Sequence, residues 1–182
     1  MKFQPSPTSG ALQAGEVLSG AVQYVLDVAA ARLGEFKFVS IQHPYAVILS
    51  QGCDLESDHR LRSASKEGNL LSILFCAAYP ADDYCKTIKS EVAERIVKDD
   101  HKRYLFLEAC GATSDRTNEG VPELVLDFKH YFGLPTDQVY HGIESGSMAR
   151  RFTLVSPYLE HLSHSFSFYF SRIGLPDRHE SV

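Results

Sequence analysis

Tryptophan is absent from this 182-residue chain, methionine occurs twice and cysteine only four times. The cysteines (Cys53, Cys76, Cys85 and Cys110) form no CxxC pair, which argues against a zinc knuckle and against a small disulfide scaffold. Cys76 lies inside one apolar run and Cys110 ends another, where a reduced thiol acts as a small hydrophobe, so a reducing, cytoplasmic setting is expected. No stretch approaches 18 apolar residues, and the N-terminal MKFQPSPTSG lacks the apolar core of a signal peptide, so no membrane association is expected. Positive charge is not in excess: 18 Lys and Arg stand against 23 Asp and Glu, a net charge of −5, so any nucleic-acid binding must use a local patch. The P-loop, the dinucleotide glycine fingerprint, GxSxG and a paired-carboxylate signature are all missing, and no cofactor is implied.

What is present is an ordinary globular composition, 44% hydrophobic and 23% charged, in a chain long enough for one core. Residues 1–14, rich in Pro, Ser and Gly, read as a flexible N-terminal arm, 15–176 as a single globular domain and 177–182 as a loose tail. Strands are expected at 16–27, where Gly20 and the β-branched content disfavour helix, at 36–41, and at 45–50 after a break at His43-Pro44. Further strands are expected at 70–79, 104–107, 123–132 and 152–155. Residues 52–69 read as a long surface loop or short helix, 82–100 as one amphipathic helix, and 136–143 as one or two helical turns. Ser156-Pro157 opens a terminal helix whose apolar face runs from Leu159 to Ile173 and ends at Gly174 and Pro176. The expected fold class is α+β: a small, strongly bent sheet or SH3-like barrel with an inserted helix and a C-terminal helix.

Reactive side chains concentrate just after the strand at 45–50, where Cys53, Asp54, Glu56, Asp58 and His59 follow in close order. A cysteine nucleophile needs a neighbouring base; His59 is a better partner for Cys53 than His43, which lies ten residues upstream across a strand. The alternatives are metal ligation by Cys53, Asp54 and a histidine, and a plain polar loop. Asp127 and Lys129 share one face of the 123–132 strand, where aspartate is disfavoured and asks for a reason. Arg60, Arg62, Lys66, Arg150 and Arg151 could form a basic patch with Tyr131 or Tyr140 stacking on bases. His161 and His164 are three apart, without the spacing of a zinc-protease helix. Phe166 and Phe168, about 200° apart on a helix, cannot both face one core.

The order of elements resembles that of the PemK/MazF-like toxins, on the strength of Gly15-Glu16, the strand Pro44-Tyr-Ala-Val-Ile-Leu-Ser50, the apolar strand ending at Pro80, and Leu126-Asp127-Phe128-Lys129. An arginine that the family carries shortly before the strand aspartate is replaced here by Glu123, Leu124 and Val125, and residues 81–102 are an insertion. The resemblance implies an SH3-like barrel and metal-independent cleavage of single-stranded RNA. Asp127 would then be base or acid, Arg60 or Lys129 the phosphate-stabilising cation, and His59 a partner. The expectation from another class is a non-catalytic module that binds a protein partner or a second copy of itself, and a third is a thiol or metal site at Cys53.

Overall fold

A computed structural model of the chain describes residues 2–171. Its seven strands are β1 (Phe3–Pro5), β2 (Glu16–Leu26), β3 (Phe38–Ile48), β4 (Ser72–Pro80), β5 (Tyr104–Leu107), β6 (Leu124–Pro135) and β7 (Ala149–Leu154). They form one antiparallel sheet in the order β1-β7-β2-β3-β4-β6-β5, open between β1 and β5. The fold is therefore α+β, and of the two expected sheet forms the open one is found; the edges do not meet to close a barrel.

Alternation along the strands loads both faces. Val47, Cys76, Ala78, Phe128 and Phe152 belong to one apolar cluster, covered by Leu162, Phe166 and Tyr169 of helix α6 (Tyr158–Phe170). Ala46, Ile48, Phe75, Ala77 and Phe132 belong to the other. Leu55 of α2 (Gly52–Ser63) and Val139 of α5 (Thr136–Glu144) complete that second cluster. Two further short helices, α3 (Ala81–Cys85) and α4 (Ser90–Val97), pack on Tyr104 and Val125; the remaining one, α1 (Val28–Arg32), caps the β2–β3 connection.

Several expectations are corrected. The N-terminal segment is tied down: β1 pairs with β7, and Phe3, Ser6 and Leu12 are buried. A bidentate ion pair holds it, since the Arg150 guanidinium donates to Glu16 at 2.5 and 2.9 Å and to the Gly10 and Ala11 carbonyls at 3.2 and 3.1 Å. Pro44 does not break its strand. It lies within β3 opposite Gly20 and before the pairing with β4 begins at Tyr45, where its missing N–H costs no ladder bond to β4. The segment 82–100 splits into α3 and α4, because Thr87 turns both its amide and its hydroxyl onto the Tyr84 carbonyl. Of the two forms expected for 52–69 the helix is the one found, over Gly52–Ser63, anchored by buried Leu55 and by Asp58, which accepts from Arg62 and the Leu70 amide. The expected end of the terminal helix at Gly174 and the tail at 177–182 lie outside the described residues.

Candidate functional site

Asp127 is fully buried at the one place where β6 leaves register with β4. Pairing passes from Cys76↔Tyr131 to Ala78↔Leu126, so residues 127–130 of β6 stand opposite Ala77 alone. The bulge turns the Asp127 carboxylate toward β5 and α3. Arg103 donates to it through Nε at 2.7 Å and Nη2 at 2.5 Å, the Tyr84 hydroxyl at 2.8 Å and the Lys129 amide at 3.0 Å. Burial alone would raise the carboxyl's pKa; the Arg103 fork, Tyr84 and the Lys129 amide outweigh it and hold the group below the ordinary aspartate range. Burial and the same hydrogen bond push the Tyr84 hydroxyl far up, so it stays a donor. Around this core, the Arg103 guanidinium lies 4.7 Å from the centre of the Tyr104 ring. Half-exposed His130 places Nδ1 3.0 Å from the Tyr79 hydroxyl and 3.6 Å from Asp127 Oδ2.

Four donors on one carboxylate make a rigid ion pair and a poor proton acceptor. The other residues expected to work with Asp127 are elsewhere. Cys53 is exposed at the start of α2, within 3.6–3.7 Å of Gln51 Oε1 and Asp54 Oδ1 and beside no histidine. His59 meets Ser63 at 3.4 Å and Tyr140 at 6.5 Å between ring centres; Arg60 reaches only Glu56, at 4.0 Å, with both side chains exposed. The Lys129 side chain is exposed, and only its backbone serves Asp127. Three of the five cations expected in a basic patch are held in ion pairs, Arg150 with Glu16, Arg151 with Asp115 at 2.7 and 2.9 Å, and Arg62 with Asp58 and Asp137; Arg60 and Lys66 stay exposed on and just after α2. No group of three potential metal ligands occurs among the described residues. The cation partner, Arg103, escaped sequence reasoning although it immediately precedes a strand; a buried aspartate in a β-favouring run needed one.

A roughly 750 Å³ cavity lies between the N-terminal segment, α2 and α5, lined by His59, Arg62, Tyr140, Arg116 and Arg150. Its guanidinium groups are all engaged: Arg116 donates to the Pro7 and Thr8 carbonyls, and the other two are in the ion pairs already described. Two of the three are neutralised by carboxylates; Arg116 alone has no acidic partner among the described residues.

The second feature is the arm formed by the outer halves of β2 and β3. Beyond Ser19 strand β2 has no pairing with β7, and before Tyr45 strand β3 has none with β4, yet the two continue to pair with each other from Ala21↔His43 to Leu26↔Phe38. Gly20 makes the departure possible. Its φ is +80°, and a Cβ there would sit 2.4 Å from the Ser147 carbonyl oxygen. Leu18 and Ala21, three apart, consequently fall in the same core cluster, which unbroken alternation would forbid. At the arm's base His43 stacks on Phe132 with ring centres 3.9 Å apart; burial, then the nearby His130, lowers its pKa. Toward the tip the apolar side chains have nothing to cover them. Of the thirteen exposed large hydrophobics among the described residues, eight are on the arm or the connection at its tip: Tyr24, Leu26, Val28, Leu33, Phe36, Phe38, Val39 and Ile41. Leu33 and Phe36 are 82% and 84% exposed. The paired strands carry no Lys, Arg, Asp or Glu between Gly20 and Leu26 or between Phe38 and Pro44.

Comparison with family models, with curated proteins and with solved structures finds no match to this chain. No helix among the described residues is long and apolar enough to cross a membrane.

Proposed function

We propose that this protein is a non-catalytic interaction module whose sheet presents the β2–β3 arm to a protein partner. The observation that carries this reading is the concentration of eight exposed apolar side chains on a hairpin that extends past both neighbouring strands. Exposed apolar side chains concentrated on one projecting element favour an interaction site, whereas hydrophobics scattered singly do not. Phe166 and Phe168 divide as helical geometry requires, Phe166 packing on Phe128 and Phe168 facing outward under Lys102. The helix thus adds little apolar surface of its own. A photo-reactive phenylalanine analogue at position 36 is expected to give protein adducts in the expressing cells, with far fewer from the same group at exposed Lys86. Equal yields at the two positions, or adducts to RNA alone, would overturn the reading.

A second reading, metal-independent cleavage of single-stranded RNA, is favoured by one observation: half-exposed His130 stands beside the Asp127–Arg103 pair. In that chemistry His130 takes the 2′-hydroxyl proton as that oxygen attacks the phosphorus, the P–O5′ bond breaks to leave a 2′,3′-cyclic phosphate, and the departing 5′-oxygen takes a proton from water. Incubation of the pure protein with mixed-sequence RNA in EDTA tests it. Intact RNA, or cleavage unchanged by His130→Ala, removes it.

A further inference from the structure

From the arm's open edge we infer that the partner of this surface is a second copy of the chain, joined by antiparallel pairing of the two β3 edges about a two-fold axis near Ile41. The inference rests on the docking role proposed for the arm and adds the identity and geometry of the partner. Residues 38–44 of β3 are paired on one side with β2 and on the other with nothing, which leaves a row of backbone donors and acceptors beyond Tyr45. The opposite edge of the arm is partly closed, because Gln138 of α5 donates to the Val22 carbonyl at 2.8 Å. Pairing the same β3 edge of both protomers is an isologous contact, which closes as a dimer and does not propagate as a fibre.

The sequence of the edge agrees with self-pairing. Exposed edges are ordinarily guarded by charges, yet FVSIQHP carries no Lys, Arg, Asp or Glu; Pro44 alone blunts it, at the end nearest the sheet. A chain of net charge −5 repels its own copies, and this neutral ribbon is where that repulsion is weakest. The apolar side chains along that edge, Phe38, Val39 and Ile41, are 68%, 49% and 41% exposed, and the added strand would cover part of each. Pairing through backbone bonds with side chains packed alternately above and below is β-strand addition, which sets Ile41 opposite its symmetry mate and Val39 opposite His43 of the facing strand.

Sedimentation equilibrium of the full chain is expected to give twice the 20.3 kDa protomer mass at micromolar concentration. Ile41→Lys, which sets like charges against each other at the axis, should weaken association at least tenfold while leaving the melting temperature of the dilute monomer unchanged. In a Cys53→Ser, Cys85→Ser background, cysteine introduced in turn at Ser40, Ile41 and Gln42 should form an intermolecular disulfide at the position nearest the axis, because directly opposed residues bring their Cβ atoms within about 5.5 Å. Cysteine at Tyr24, on the other strand, should not. A monomer at every concentration overturns the inference, as does a dimer that cross-links equally at Tyr24. If in that case position 36 still yields adducts to a different protein, the docking role stands and only the identity of the partner falls.

Discussion

Asp127 accepts four hydrogen bonds inside the sheet, so its loss is expected to be felt as stability. Asp127→Asn leaves Arg103 without its carboxylate and should cost about 2 kcal/mol in urea denaturation. That is less than the ~3–5 kcal/mol of a fully buried pair, because the Arg103 side chain is 28% exposed. Burial opposes ionisation of both Asp127 and Asp115, but their arginine partners and hydrogen bonds win, and both titrate below the ordinary value of 3.8. The unfolded chain thus binds protons first, so this stability is complete above pH ~4 and is lost as the pH falls through the depressed native values. The acid limb of the stability curve should be shallower in Asp127→Asn than in the wild type. His43 behaves likewise at higher pH: buried and held below 6.5, its contribution is present above 6.5 and declines on acidification, and His43→Phe should flatten the slope between about pH 6.5 and 5. Among the thiols, exposed Cys53 should alkylate in the folded protein, whereas Cys110, pushed up to about 11 by burial and by Asp115, and buried Cys76 should react only on unfolding. The sequence marked Asp127 as anomalous but could not supply Arg103, 24 residues away, or show that the carboxylate's acceptors are all filled.

Strand identities were legible from alternation and β-branched content, and β2, β4, β5 and β7 lie close to their expected spans. The break at Pro44 was misjudged because a proline reads as an interruption; here it occupies the stretch of β3 that has no neighbour on that side. The split between α3 and α4 was hidden because Tyr84, Ile88, Val92 and Ile96 keep one spacing across it and all pack on one apolar cluster. The arm was invisible for a plainer reason: an apolar pattern shows which residues seek cover, not whether the fold covers them. Its geometry depends on Gly20. Gly20→Ala combines a positive φ with a collision against the Ser147 backbone and should cost at least about 2 kcal/mol, read as a shift in the urea midpoint. At the tip, Gly34→Ala shares φ +80° but meets nothing within 4 Å, so it should cost about 1 kcal/mol.

At the scale of the molecule, ion pairs are used to fasten the structure and apolar surface is left over. Glu16–Arg150 and Asp115–Arg151 bind β2, β7 and the loop before β6 together, which consumes two of the five cations expected to meet a nucleic acid. The α+β class was readable from the order of elements; the open sheet was not separable from a barrel, because closure depends on where β1 and β5 end in space. What remains uncommitted is the ribbon beyond Gly20 and Pro44, where exposed apolar side chains are most concentrated among the described residues. The central claim is that this ribbon's β3 edge is a pairing surface, and hydrogen exchange of the amides at 38–43 tests it most directly. Those without a bond to β2 should exchange at least tenfold more slowly in concentrated than in dilute protein, while the amides at 45–48, already in the sheet, should not change. Equally fast exchange at both concentrations would contradict it.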